Sequence, residues 1–212
     1  MIYWTTGVKL SVLCPSRGRP EMLMSSRDTF KDEIEFLVAV DKDDPALPAY
    51  KALGIPLTIT KRYGYPHLEK YYNILAKKAT GDWLFNWNDD AFLGMGNVVG
   101  LLEELDPQEP AIGYFDNGDT RFPLISRGLY ELLGHFAGGP AVDSYLHALA
   151  VHGGIIKYLP TIDISHLRDM MTDPTSQQKE LGIVDERMQS DAVINQRFKD
   201  IDKILEWKHA QA

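Results

Sequence analysis

YYNILAKKATGDWLFNWNDD, residues 71–90, decides the fold. Together with Leu68, its apolar positions Tyr71, Tyr72, Leu75, Ala76 and Ala79 recur at a helical period, which predicts a helix over His67–Thr80. Gly81 reads as the glycine that closes that helix. Asp82–Trp87 (DWLFNW) is then a short, mostly apolar run, and it predicts a strand that delivers Asn88-Asp89-Asp90 to its carboxyl end. A helix, a glycine and an acid-tipped strand make one unit of an alternating α/β chain.

The same alternation extends in both directions. On the amino-terminal side, Lys9–Cys14 (KLSVLC) predicts a first strand, stopped by Pro15-Ser16-Arg17-Gly18-Arg19-Pro20. Pro20 suits the first turn of a helix running to about Phe30. Glu35–Val40 predicts a second strand, ended by Asp41-Lys42-Asp43-Asp44-Pro45. A weak helix over Ala46–Leu53 and a third strand over Leu57–Thr60 follow. On the carboxyl side we expect helices at Val98–Leu105, Arg127–Leu133 (entered through Phe122–Ser126) and Ala141–His152. Further strands are expected at Ala111–Phe115, Ile155–Tyr158 and Thr161–Ile164. Residues 167–182 read as a polar loop and Asp185–Trp207 as a charged closing helix. The expected fold class is α/β, a single domain with a mainly parallel central sheet flanked by helices and a C-terminal helical extension. Ligands of such sheets bind beyond the carboxyl ends of the strands, so the loops at 15–20, 41–45 and 88–90 should share one rim.

Composition removes several classes of function. The 212 residues are 44% hydrophobic and 25% charged, an ordinary globular balance. The net charge of −8, with no basic cluster longer than Lys77-Lys78, weighs against gripping duplex DNA or an anionic membrane surface. Cys14 is the sole cysteine, so an intrachain disulfide is impossible. The opening MIYWTTGVKLSVLC reads as a strand lead-in and not as a signal peptide. No apolar stretch approaches the roughly 20 residues a transmembrane helix requires. No stable membrane insertion and a cytoplasmic location are the expectations.

Five features carry chemistry, each with a plainer alternative. Adjacent Asp89 and Asp90 repel one another, and a hard divalent cation such as Mg²⁺ or Mn²⁺ relieves that repulsion; an acidic turn is the alternative. Asp41 ends the second strand, where a carboxylate can accept hydrogen bonds from a base or ribose, or simply cap a turn. Ser16-Arg17-Gly18-Arg19 offers backbone donors and two guanidinium groups before a helix, suited to an anion or equally to a solvated basic turn. His166, in ISHL, can add a nitrogen ligand from far along the chain, or be structural. Asp143, at a helix start, can act as a general base or only oppose the helix dipole.

In order and spacing, LSVLCPSRGRP (10–20), FLVAVDKDDP (36–45), residues 71–90, FPLISRGLYELLG (122–134), VDSYL (142–146) and ISHL (164–167) resemble the glycosyltransferase A fold. The likeness is to the small family-2-like glycosyltransferases of phage and bacterial genomes. The resemblance implies a nucleotide-sugar-binding and catalytic domain over 1–166, with 167–212 packed on it or extending it. It implies a metal-dependent, hexosyltransferase-like enzyme that moves a sugar from a nucleotide-diphosphate donor, such as a UDP-sugar, to an acceptor hydroxyl with inversion. By the same resemblance Ser16, Arg17, Arg19, Asp41 and Asn73 would hold the nucleotide. Asn88 and Asp89 would lie by the donor, with Asp89 at the ribose. Asp90 and His166 would bind Mn²⁺ or Mg²⁺, and Asp143 would be the base. Two positions depart from the family pattern. Asn88 replaces the first acid of the DXD triplet, and Val142-Asp143 reduces a two-acid pattern, leaving Asp116 and Asp119 as alternative cleft acids. The acceptor stays open among a modified DNA base, a glycan, a lipid and a protein. The rival readings are a nucleotidyltransferase on a related scaffold and a non-catalytic nucleotide-sugar-binding protein.

Overall fold

A computed structural model of the chain describes residues 7–31, 33–167 and 177–211. In chain order, Leu10–Ser16 forms β1, Pro20–Arg27 α1, Glu35–Asp41 β2, Leu47–Ala52 α2 and Leu57–Thr60 β3. A 3-10 turn over Tyr65–His67 leads into α3, Leu68–Ala76, followed by β4 (Trp83–Asn86), β5 (Ala91–Leu93) and α4 (Val98–Leu102). Then come β6 (Ile112–Phe115), β7 (Leu124–Ser126), α5 (Arg127–Leu133), α6 (Val142–Gly153), β8 (Ile156–Leu159) and β9 (Ile164–His166). Helices α7 (Gln177–Met188) and α8 (Asp191–Gln211) close the chain.

Seven strands make one sheet in the order β3-β2-β1-β4-β7-β6-β8, and β5 pairs separately with β9. Strands β1 to β4 run parallel, β7 opposes both β4 and β6, and β8 runs parallel to β6. Within the large sheet only β7 is reversed. Helices cover both faces, and the period-2 alternation of the strands sorts side chains between them. Leu13 and Leu84 face a core layer with α3, α5 and α6, whereas Val12, Cys14, Trp83 and Phe85 face the opposite layer. From α8, Val193, Ile201 and Ile204 join the first layer. Among the described residues no helix is long and apolar enough to cross a membrane.

Several local expectations need correction. α3 ends at Ala76, so Gly81 is not its closing glycine. Gly81 instead marks a close crossing of β1: its N–H donates to Ser11 Oγ at 2.8 Å, and a Cβ there would lie 2.6 Å from the Ser11 nitrogen. Phe122–Ser126 is more than a lead-in, because its last three residues are strand β7. The C-terminal helix is two helices, broken at Gln189-Ser190, and α7 begins at Gln177, inside the segment expected to be loop. Its apolar period is faint, and tertiary contacts hold it. Arg187 reaches the Pro66 carbonyl and Glu69, and Val184 is buried. The rest of that expected loop, residues 168–176, lies outside the described residues.

Candidate functional site

Because β1, β2 and β4 run parallel, their carboxyl ends bring the loops at 15–20, 41–45 and 88–90 to one edge of the sheet. Asp89 is 2% exposed, and both its oxygens have partners within the protein. Arg19 grips it through Nη2–Oδ1 at 2.6 Å and Nε–Oδ2 at 3.2 Å, while Ser16 Oγ donates to Oδ2 at 2.6 Å. Since the single Ser16 hydroxyl hydrogen goes to Asp89, the contact of 2.6 Å with Tyr50 must be a donation by the Tyr50 phenol. Burial pushes Tyr50 up to about 12, so that phenol stays protonated. Burial also raises Asp89, to about 6, against the opposing pull of Arg19 and the Ser16 hydrogen bond.

Asp90 lies in a different field. Burial pushes its carboxyl up, but the His166 hydrogen bond, with the charge of Arg19, outweighs burial and holds it below the ordinary value. Arg19 Nη1 stands 3.2 Å from Asp90 Oδ2, and His166 Nε2 stands 2.9 Å from Oδ1. The pairing of β5 with β9 creates this meeting, setting Ala91 opposite His166, and Leu167 N–H donates to the Asp90 carbonyl at 3.0 Å. On the other side of the ring, Arg121 Nη1 approaches Nδ1 at 3.2 Å. As guanidinium can only donate, Nδ1 accepts and Nε2–H faces Asp90.

The pair can take a divalent ion once the hydrogen on Nε2 is given up. Two neighbouring ligands of an octahedral ion, each about 2.1 Å from it, stand about 3 Å apart, and the Asp90 and His166 atoms are separated by 2.9 Å. Among the described residues no group of three or more acidic, histidine or cysteine side chains surrounds a point. Such an ion would therefore need diphosphate or water oxygens to complete its shell, as Mg²⁺ sites commonly do.

Asp89, Asp90, His166, Asn88 and Asp143 all line one cleft of about 310 Å³. Asn88 sits between Tyr72, whose hydroxyl is 3.3 Å from its Oδ1, and His166, whose Nε2 is 3.4 Å from its Nδ2. Asp143 enters on the first turn of α6, its Oδ1 accepting from Ser144 N–H at 2.8 Å.

The other expected residues take different places. Asp41 is 4% exposed, with Tyr71 donating to Oδ1 at 2.6 Å and Arg17 to Oδ2 at 2.9 Å. Arg17 also holds Asp43 at 3.0 Å. Asn73 is turned toward the 136–137 backbone: Nδ2 donates to the Ala137 carbonyl at 2.7 Å, and Oδ1 accepts from Phe136 N–H at 2.6 Å. Asp119 is paired with Arg121 at 2.9 Å and belongs to an adjoining groove. Trp87 and Phe122 are core, at 0% and 1% exposure. Sequence reading missed Arg121, Tyr72 and Asn86 as cleft residues. Only the polarity of Asn86 within an otherwise apolar strand signalled one of them.

The sequence matches no protein-family model and no curated protein. Solved structures do match. One is the mannosyltransferase PcManGT from Pyrobaculum calidifontis, solved with GDP-Man and Mn²⁺, at TM-score 0.53 and 17% identity. The match covers 74% of this chain but only 55% of that protein, so the chain spans little more than half its length. Another is S. aureus TarS 1-349, at TM-score 0.51 and 14% identity over 93% of this chain and 70% of that one. The same TarS fragment in complex with UDP matches at TM-score 0.52. The order of strands, the single reversed strand β7 and these neighbours establish that the chain has the glycosyltransferase A fold.

Proposed function

We propose that the chain is a glycosyltransferase that takes a sugar from a nucleotide-diphosphate donor, a UDP-sugar first among them, and passes it with inversion to an acceptor hydroxyl. One observation carries this reading: a metal-competent Asp90–His166 pair and the carboxylate Asp143 face the same cleft at the carboxyl rim of the sheet. The neighbours support it, one having been solved with GDP-Man and Mn²⁺ and another with UDP.

Asp90 and His166 would hold Mn²⁺ or Mg²⁺, which would supply Lewis-acid neutralisation of the departing diphosphate. Asp143 accepts the proton of the acceptor hydroxyl, a step typically worth about 10²–10⁴-fold. Asp89 accepts from the ribose, and Arg19 with Ser16 fixes its oxygens beforehand. Arg17 and Asp41 form the base end of the site, and Asn73 serves it by holding the loop at 136–137. The two C-terminal helices belong to the same catalytic unit as the sheet. The test is release of nucleoside diphosphate across a panel of donors with and without Mn²⁺. Activity undiminished by EDTA refutes the metal role, and release of pyrophosphate in place of nucleoside diphosphate marks a nucleotidyltransferase. Donor binding with neither transfer nor donor hydrolysis marks a silent binding protein.

A further inference from the structure

β4 reads Trp83-Leu84-Phe85-Asn86, three core side chains followed by one amide. Asn86 is 4% exposed, yet it lines the cleft that Asp90 and Asp143 share. Its orientation is fixed, because one amide atom is 2.9 Å from the Arg121 carbonyl and only Nδ2 can donate there. That leaves Oδ1 as a buried acceptor with no partner among the described residues. Buried polar atoms are nearly always hydrogen-bonded, and an apolar residue would suit the end of such a strand better.

We infer that Asn86 Oδ1 accepts a hydrogen bond from a hydroxyl of the sugar carried by the nucleotide donor, and so helps select which sugar is transferred. The chemistry narrows the ligand. A carbonyl oxygen can only accept, so it is repelled by phosphate and carboxylate oxygens and calls for an O–H or N–H. A hydroxyl-rich ring meets that need beside groups suited to a diphosphate. Asn86 lines the same cleft as Asp89 and Asp90, the residues that the proposed function sets against the donor. The inference rests on the glycosyltransferase reading and adds a sugar contact to it.

Calorimetry separates the two claims. UDP is compared with UDP-glucose and UDP-galactose, and GDP with GDP-mannose, all with Mn²⁺, on wild-type protein and on Asn86→Ala. The sugar should tighten wild-type binding about 2- to 12-fold over the bare diphosphate, and Asn86→Ala should bring that ratio to about one while leaving diphosphate affinity in place. A ratio that survives in folded Asn86→Ala overturns the assignment, leaving the amide only its bond to the Arg121 carbonyl. Deoxy versions of the preferred donor, run on wild-type protein, need no variant to fold. One of them should lose the increment, and equal binding by all of them overturns the assignment. Failure of wild-type protein to bind any nucleoside diphosphate overturns the nucleotide-sugar reading itself, and this inference with it.

Discussion

Replacing Arg19 with Met keeps the length of the side chain and removes its charge from between two carboxylates. The side chains of Asp89 and Asp90 are 2% and 12% exposed, while that of Arg19 is 25% exposed. Removing one partner of a buried ion pair costs about 3–5 kcal/mol, and the partial exposure of Arg19 argues for the lower end, about 3 kcal/mol at pH values where both carboxylates are ionised. The loss must depend on pH. Asp89 sits at about 6 in the folded protein because burial raises it more than Arg19 and Ser16 lower it. A raised folded pKa means that stability is greatest below the unfolded value of about 3.9 and falls as pH rises through the folded one. Without Arg19 the folded value climbs further, so the fall extends to higher pH.

Urea unfolding followed by the fluorescence of buried Trp83 and Trp87 reads this directly. Arg19→Met should lose about 3 kcal/mol near pH 8 and clearly less near pH 6, where Asp89 escapes as the neutral acid. Mn²⁺ should raise the midpoint of the variant more than that of wild type, because the ion supplies the missing positive charge. A loss below about 1 kcal/mol, the range of surface ion pairs, refutes the reasoning. So does a loss of equal size at both pH values.

Asp143→Asn should lower turnover by about 10²–10⁴-fold while melting temperature and donor affinity stay near wild type, as steady-state kinetics and calorimetry will read. Asp200 is fully buried, and although burial raises its carboxyl, hydrogen bonds from His135 and Tyr145 hold it below the ordinary value. Its stabilisation is therefore present above an unfolded value of about 3.9 and lost as pH falls through the lower folded value. Tyr145→Phe removes the phenol donor at 2.5 Å and should move the acid-unfolding midpoint upward in a circular-dichroism titration. Gly81→Ala would place a Cβ 2.5 Å from Ser11 Oγ and 2.6 Å from its nitrogen, so denaturant unfolding should show a loss of about 3 kcal/mol.

The parallel half of the sheet was legible because β1, β2 and β4 are apolar runs with abrupt polar ends, and their shared direction puts their loops together. The joining of His166 to Asp90 was not. It depends on β5 and β9, strands of three residues each, whose sequences AFL and ISH carry no period long enough to read. A likeness in motif order could suggest the pair, but only the antiparallel register of Ala91 with His166 accounts for its 2.9 Å separation. The basic loop 16–19 was legible as a place suited to an anion or equally as a basic turn. In the structure its guanidinium groups meet the protein's own Asp89, Asp90, Asp41 and Asp43. Pairing of that kind lies between residues more than twenty positions apart, which local composition does not encode.

Asn73 and Asn86 show where the difference between a supporting amide and a ligand-binding one resides. Both are polar residues in apolar surroundings, and motif order favoured Asn73. Counting bonds reverses the preference. Asn73 donates to one backbone carbonyl and accepts from two backbone N–H groups, so its carbonyl oxygen is already doubly used. Asn86 donates once, and among the described residues its oxygen accepts nothing. An amide whose oxygen already accepts two bonds has little left to offer a ligand, while one with an idle buried acceptor has its binding capacity intact. Residue type alone gives both side chains the same inventory, and the folded backbone decides which of them still has something to bind.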